Sequence, residues 1–415
     1  VSEHDCTFVN LDRINVMDDL PRLNAAEAAA RLGVKPESLY AYVSRGMLSR
    51  ERDSSGSWFD PLEVEAFARG RRRSPTAPPG TPTPGTPLMV LDTSLAHIAE
   101  DELHYRERSA ARLAREASYE EVVEWLWGAP PLRPPSPADL AVARRTAAAL
   151  GATASPLDRL HVAVTALAAT DPLRGDTEPS ELPRVGARLL GGLPAALADA
   201  GEPAAVAQTL WRALAPRELP GGPRILDAAL ILMIDHDLAV STLAARVAAS
   251  ARAGGYAVVA AALGAFDAPL HGTASRAAAH LLRAVRDGDT PTAAIARAVR
   301  DAGRGIPGFG QPLYAAGDMR AAVLLDLLRD APHSAGVLTA VDAVADEVAR
   351  RADAQPNLDL ALAALTLWAG MSDEAGSAIF AIGRIAGWIS HAVEEYDQRP
   401  MRLRPRGRYV GPAPE

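Results

Sequence analysis

The sequence predicts an all-α body with a small appended unit, and three observations carry that expectation. The first is composition: Ala, Leu and Val dominate the 48% of residues that are hydrophobic, and aromatics make up only 5%. This balance favours helix, because Ala carries the least helix penalty. The second is pattern: from Leu88 to Glu415 the chain reads as helix after helix between Pro and Gly punctuation, with no alternating β-branched run long enough for a sheet. The third is a break at residues 74–87, which read Ser-Pro-Thr-Ala-Pro-Pro-Gly-Thr-Pro-Thr-Pro-Gly-Thr-Pro; these prolines lack the amide donors a helix needs. At 415 residues there is length for two or three domains and a large buried core.

In chain order, residues 1–73 form the first expected unit. Val1 to Asn10 carries acidic residues and no apolar run, so it does not read as a signal peptide. Ala25 to Leu32 is a short helix with Asn24 placed as N-cap, followed by Gly33-Val34 and a second helix opening at Lys35-Pro36. This is helix-turn-helix spacing. Leu23, Ala28, Leu32, Val34, Leu39 and Val43 supply a small core, while Arg31, Lys35, Tyr40, Tyr42 and Arg45 stay available to a backbone or groove. Arg50 to Phe59, with Ser54-Ser55-Gly56-Ser57 at its centre, suits a β-hairpin wing, and Pro61 to Arg69 returns to helix behind an Asp60 cap. Residues 21–73 therefore resemble the winged helix-turn-helix domains of the MerR and excisionase type. That likeness implies binding of double-stranded DNA, with Lys35, Tyr40, Tyr42 and Arg45 toward the major groove and Arg50 and Arg52 near phosphates. The other reading is a small docking or dimerisation domain. Residues 1–74 hold 11 basic against 12 acidic side chains, a poor electrostatic footprint for an isolated DNA binder, although residues 31–52 are locally positive. The Pro-rich linker, 74–87, favours polyproline II; at roughly 3 Å per residue it spans up to about 40 Å, so its flanking pieces are expected to act separately.

Charge and cysteine content exclude several classes. A net charge of −8 argues against coating nucleic acid along the whole chain, and the Arg excess over the single Lys35 fits a GC-rich coding sequence. Cys6 is the sole cysteine, so no intrachain disulfide forms and a reducing cytoplasm is the expected compartment. No 18-residue uncharged apolar stretch suggests a membrane span. Neither a His-Glu-x-x-His motif nor paired cysteines suggest a metal.

Beyond the linker, Ser118 reads as the N-cap of a helix reaching Leu126, and Asp92 to Leu103 as a short hairpin or helix. His271 follows Pro269-Leu270 and precedes Gly272-Thr273-Ala274-Ser275, at the entry to a helix whose free amides favour a neutral imidazole. Alone, such a segment is more often loop punctuation. Asp359, behind Gln355-Pro356-Asn357, opens an apolar helix as a cap or first-turn carboxylate. His236 lies between Asp235 and Asp237, and Arg320, Arg384 and Arg404 are singly uninformative.

The order of these segments changes the reading. Leu103-His104-Tyr105-Arg106, Asp235-His236-Asp237 with Ser241-Thr242, Pro269-Leu270-His271-Gly272, Gly308-Phe309-Gly310, Gly317-Asp318-Met319-Arg320, Asn357-Leu358-Asp359, Gly383-Arg384-Ile385-Ala386-Gly387-Trp388 with His391 and Glu394, and Arg404-Pro405-Arg406 follow in series. From about Leu88 to Pro412 the chain resembles citrate synthases. The resemblance implies a homodimer with a large domain (88–272 and 373–415), a small domain (273–372) that closes over substrate, and condensation of acetyl-CoA with oxaloacetate at entry to the tricarboxylic acid cycle. No cofactor is implied, acetyl-CoA being a substrate. By the same matching, Asp359 takes the methyl proton and His271 hydrogen-bonds the thioester oxygen. His236, Arg320, Arg384 and Arg404 hold the dicarboxylate, the last reaching into the partner subunit's site.

Two departures stand out. Gln311 occupies the place after Gly-Phe-Gly where the family has a histidine, and Pro312-Leu313-Tyr314-Ala315-Ala316 lacks a basic residue that many relatives carry near the CoA phosphates. A minor one is Met319 before Arg320. An amide donates a hydrogen bond but cannot become cationic. Two alternatives follow: a DNA-binding regulator with a degenerate metabolite-sensing body, and a 2-methylcitrate synthase using propionyl-CoA.

Overall fold

Local hydrogen bonds at segment ends set the elements of the fold. The computed structural model describes residues 21–73, 89–129, 131–132, 134–198, 201, 204–303, 305–352 and 354–411. Cys6, the expected non-signal N-terminus and the expected linker 74–87 lie outside these described residues.

The N-terminal unit comprises β1 (Leu23–Asn24), α1 (Ala25–Leu32), α2 (Pro36–Ser44), β2 (Glu51–Asp53), β3 (Gly56–Phe59) and α3 (Pro61–Arg73). Asn24 and Glu27 close a capping box, Glu27 N donating to Asn24 Oδ1 at 3.0 Å and Asn24 N to Glu27 Oε2 at 2.8 Å. Gly33, at φ 62°, ends α1. Asp53 accepts from Ser55 N and Gly56 N to turn the hairpin, and β1 adds to β3 so that the sheet order is β1-β3-β2. Leu62 N donates to Asp60 Oδ1 at 2.8 Å at the start of α3. Leu23, Ala28, Leu32, Leu39, Phe59 and Val64 form a core of the unit's own. Tyr42 corrects one expectation: its ring packs on Phe67 with centroids 4.9 Å apart, so it serves this core and not an open groove.

The unit does not stand apart from the body. Leu62, only 1% exposed, packs in the body's core, Asp60 is ion-paired with Arg351, and Arg31 Nη2 donates to Arg300 O at 3.1 Å. The expectation that the two pieces act separately is thus corrected, because α3 carries a second apolar and acidic face complementary to the body.

The body begins with β4 (Ala96–Ala99), β5 (Glu102–Tyr105) and β6 (Arg108–Ser109). These pair antiparallel in that order, with Ala96 opposite Tyr105 and Ile98 opposite Leu103. Of the two readings of Asp92 to Leu103, the β4–β5 pair takes the hairpin; the third strand, β6, is not expected from the sequence, two residues being too short to show a periodicity. Helices follow: α4 (Ala110–Glu116), α5 (Tyr119–Trp127), α6 (Pro137–Ala148), α7 (Pro156–Ala169), α8 (Leu182–Ala196) and α9 (Val206–Leu214). Next come α10 (Gly222–Leu232), α11 (Val240–Ser250), α12 (Gly255–Phe266), α13 (Ala274–Arg286), α14 (Pro291–Ala302) and α15 (Met319–Arg329). The chain closes with α16 (Ala335–Ala352), α17 (Leu358–Ala369) and α18 (Ala375–Tyr396). Ser118 caps α5 as read, in a capping box with Glu121.

Helix α18 is almost wholly buried and is flanked by α8, α10, α11 and α12. It can approach the end of α10 closely because Gly383 and Gly387 face it. A Cβ on Gly387 would lie 2.0 Å from Ile234 O, and one on Gly383 would lie 2.9 Å from Leu230 O. A second group packs α13 against α16 and α17, and α15 against α17, while α3 lies on α14 and α16. Gly387→Ala is expected to lower stability by about 2 kcal/mol through overpacking, read as an earlier midpoint in denaturant unfolding. Gly264→Ala, at an exposed place within α12 where a Cβ meets nothing within 4 Å, should instead move the midpoint slightly later, Ala being the better helix former by about 0.5–1 kcal/mol.

Candidate active site

Three backbone turns and two helix starts bring the expected residues together. The turn after α10 carries Asp235 and His236. Arg384, 1% exposed on α18, donates from Nε to Met233 O at 2.6 Å, and its guanidinium lies 4.9 Å from the Phe380 ring centre. Its Nη1 is buried and has no partner among the described residues. A buried donor of this kind is costly unless something accepts from it. Behind the turn, Asp235 Oδ2 pairs with His391 Nε2 at 3.1 Å, and Arg246 bonds both Glu394 and Glu395. Burial opposes a charged His391, but Asp235 and Glu394 outweigh it and push its pKa up to about 9.

His271 sits in the loop between α12 and α13, packed edge-on to Phe266 and Phe380. Ser241 Oγ lies 2.7 Å from His271 Nε2, and Trp388 Nε1 donates to the same oxygen at 3.3 Å. A serine hydroxyl can accept from the indole and still donate to Nε2; in the tautomer where it does so, the ring's own N–H is on Nδ1. Burial, with the positive charge of Arg384, pulls the imidazole down to about 4, so it is neutral at pH 7. The helix end was the expected cause of that neutrality; burial is the larger one.

Asp359 lies in the first turn of α17, where Asn357 is the cap: Asp359 N donates to Asn357 Oδ1 at 3.0 Å. Asn357 also holds the Gly308–Gln311 loop, its N donating to Gly308 O at 2.9 Å and its Nδ2 to Gly310 O at 3.1 Å. Gly310 N returns a bond to Gln355 O. Gly308, at φ 82°, takes a conformation and a space that a Cβ would contest, 2.9 Å from Leu360 Cβ. Burial pushes the Asp359 carboxyl up to about 6, against the attraction of Arg320. Gln311 is partly buried; its Oε1 accepts from Leu313 N at 3.3 Å, which leaves the NH2 as donor.

Arg320 starts α15 beneath the cap residue Asp318. Asp318 accepts from Arg320 Nε at 2.9 Å and Nη2 at 2.7 Å, and from Leu358 N at 3.1 Å, tying α15 to α17. His236 Nε2 lies 3.0 Å from Tyr314 OH. Burial, then the charges of Arg320 and Arg384, hold His236 far below its ordinary range, so it too is neutral. Arg384 bears on both His271 and His236, and Arg320 on both His236 and Asp359. Helix α13, entered from His271, packs along α17, entered from Asp359.

His236, His271, Arg320, Asp359 and Arg384 therefore share one electrostatic neighbourhood, and Gln311 borders it through the loop bonded to Asn357. Arg404 does not join them: it is exposed near the C-terminus. Lys35, Tyr40, Arg45, Arg50 and Arg52 are exposed on the N-terminal unit, remote in sequence from this cluster. Sequence reasoning gave Asp318 and Tyr314 no role. The spacing of Asp318, an N-cap type two residues before Arg320, was a usable signal; nothing local marked Tyr314. A large cavity of about 840 Å³, lined by Trp127, Leu132, Pro183, Arg184 and Arg188, shares no residue with the cluster, so volume alone would misplace the site. Among the described residues no group of three or more His, Cys, Asp or Glu is arranged to hold a metal ion.

Comparison with known proteins bears on the family and the fold. The family described as "Citrate synthase, C-terminal domain" matches residues 85–406. Citrate synthase 2 of Bacillus subtilis is 27% identical over 356 residues, 78% of this chain and 94% of that protein. 2-Methylcitrate synthase 2 of Corynebacterium glutamicum is 28% identical over 281 residues, 62% of this chain and 72% of that protein. The ternary complex of Thermoplasma acidophilum citrate synthase with carboxymethyl coenzyme A and oxaloacetate has a TM-score of 0.67 at 23% identity, covering 79% of this chain and 95% of that one. Pyrobaculum aerophilum citrate synthase gives 0.67 at 24% identity, over 88% and 96%. At these identities the structures speak to the fold.

A raised Asp359 carries a consequence for stability. Its folded value of about 6 exceeds the ordinary 3.8, so the folded chain holds an extra proton between those values and loses stability as pH rises through them. Asp359→Asn is therefore expected to add on the order of 2 kcal/mol at neutral pH and nothing near pH 3.5. Denaturant unfolding at the two pH values checks this, and an equal effect at both would contradict it.

Proposed function

The chain belongs to the citrate synthase family, and from that premise we propose that it condenses acetyl-CoA with oxaloacetate to give citrate and free CoA, the step that feeds the tricarboxylic acid cycle. Enzymes of this family need no cofactor, and acetyl-CoA enters as substrate. The observation that carries the reading is Arg384, a buried guanidinium with an unpartnered donor, whose charge bears on two neutral imidazoles and on Arg320, which in turn bears on Asp359. A dicarboxylate supplies the missing acceptor.

In this mechanism Asp359 removes a proton from the thioester methyl while His271, through Nδ1–H, donates to the thioester oxygen on which negative charge develops. A carboxylate raised to about 6 is a stronger base than an ordinary one and is still ionised at pH 7. The neutral donor offsets the enolate charge without giving up its proton. The enolate carbon then attacks the ketone carbon of oxaloacetate, whose oxygen takes a hydrogen bond from the Gln311 amide and, as an amide gives up no proton, becomes the hydroxyl by taking one from water. Water hydrolyses the citryl thioester, releasing citrate and CoA thiol. His236, Arg320 and Arg384 hold the carboxylates, and Arg404 joins them from the partner in a homodimer, which accounts for its exposure in the single chain. Residues 273–372 act as a small domain closing on 88–272 and 373–415.

A second reading keeps the chemistry and changes the thioester to propionyl-CoA, favoured by 2-methylcitrate synthases among relatives of similar identity. A third concerns residues 21–73. Their two helices, hairpin and closing helix support a winged helix-turn-helix, and exposed Lys35, Tyr40, Arg45, Arg50 and Arg52 support contact with double-stranded DNA as a regulator. Binding of DNA fragments that responds to oxaloacetate or acyl-CoA is its test.

Purified protein with acetyl-CoA and oxaloacetate is expected to release thiol at a rate that climbs with pH through about 6, as Asp359 loses its proton. Asp359→Ala and His271→Ala should each lower kcat by roughly a hundredfold or more; no release by the wild type with any 2-oxo acid overturns the proposal. Gln311→His tests the altered donor. If Gln311 limits the condensation, turnover rises by up to about a hundredfold; an adapted site shows no gain.

A further inference from the structure

The segment matched to the family begins at residue 85, yet a residue before it touches the loop that leads to Gln311. Glu65, on α3, is 1% exposed, and its Oε2 accepts from Gly305 N at 3.0 Å across 240 residues of chain. Its other oxygen makes no hydrogen bond among the described residues, with Arg69 Nε 3.6 Å away. Arg69 in turn lines the far part of the same loop: a methyl group on Gly310 would lie 4.0 Å from its Nη1.

This loop needs external ties. Gly303, Gly305, Gly308 and Gly310 all have positive φ, between 67° and 84°, and glycines lose more conformational freedom on ordering than any other residue. On one side Asn357 and Gln355 tie Gly308 and Gly310 to the start of α17, and so to Asp359. On the other side the tie is Glu65. The platform that carries Glu65 is fastened independently, by Leu62 in the body's core and by Asp60 paired with Arg351. A carboxylate is thus held still, out of water, against one loop amide.

We infer that Glu65 is a positioning residue for the condensation site: through Gly305 it fixes the loop that presents Gln311, making the N-terminal unit part of the synthase machinery. The inference rests on the condensation reading above for its kinetic consequence, and on loop order alone for its structural one. Because Gln311 donates to the ketone oxygen of oxaloacetate in that reading, Glu65 acts on the condensation step and little on dicarboxylate binding, the carboxylates being held by Arg320 and Arg384, which are anchored elsewhere, by Asp318 and Met233.

The test uses the full chain as wild type, Glu65→Ala, Glu65→Gln and Arg351→Gln. Glu65→Ala is expected to speed amide hydrogen exchange across residues 305–311 about tenfold, and to lower kcat by roughly tenfold, with oxaloacetate affinity within about twofold of wild type. Glu65→Gln keeps an oxygen acceptor and should restore most of both. Arg351→Gln removes an interface ion pair without touching the loop, so it should lower the unfolding midpoint and leave exchange and kinetics alone. Should Glu65→Ala fail to fold, Glu65→Asp, which withdraws the carboxylate by one methylene, carries the same comparison. Loop exchange and kinetic constants in the Glu65 variants that match wild type or Arg351→Gln overturn the inference. A wild type that releases no thiol, but whose loop exchange still answers to Glu65, sinks the condensation reading and sustains the positioning role.

Discussion

Asp318 is the carboxylate on which the site's geometry depends. It is fully buried, accepts from Arg320 through the backbone, Nε and Nη2, and takes the Leu358 amide at the start of α17. A buried charge is tolerated only where its partners replace water completely, and four donors on one side chain meet that demand. The consequence is positional. Arg320 and Asp359 belong to helices whose first turns share a single anion, so neither can shift without disturbing the other.

A second network does the same from behind the opposite wall. Asp235, His391, Arg246, Glu394 and Glu395 form a buried run of alternating charge, and Glu394 extends it to Thr93 and Ser94. This run stiffens the turn carrying His236 and presses it on α18, where Gly387 lets the backbones touch. With their own anions distant or shared, Arg320 and Arg384 project positive potential into the space between the networks. That potential adds to burial in keeping both nearby imidazoles neutral, and the Arg320 part of it counters the cost of ionising Asp359. In the proposed reaction the same two guanidiniums are both the clamps of the dicarboxylate and tuners of the groups beside it.

Much of this was legible in the sequence, for reasons that differ by residue. Caps at Asn24, Asp60 and Ser118 were readable because a cap is a local hydrogen bond between neighbours. His271 and Asp359 were visible as loop and helix-start residues, but their roles came from the order of motifs, since nothing within ten residues of either distinguishes a reacting group from punctuation. The β4–β5 hairpin is one of two readings open for Asp92 to Leu103, and β6 escaped because two residues are too short for a period. Contacts of Leu62, Asp60 and Glu65 with the body escaped because their partners lie far along the chain, and the proline-rich stretch before the body argued for separation. Tyr42 reads as a surface aromatic because Phe67, the ring that packs on it, lies on the following helix beyond the hairpin.

The most direct measurement separates proton removal from condensation, so that Gln311 does not enter. Acetyl-CoA is incubated with the protein in deuterium oxide, with malate filling the dicarboxylate position, and the methyl group is followed by mass spectrometry. Asp359 and His271 acting together on one thioester predict deuterium uptake into the methyl by the wild type and none by the Asp359→Asn variant. No uptake by the wild type, or equal uptake by both, would contradict the account.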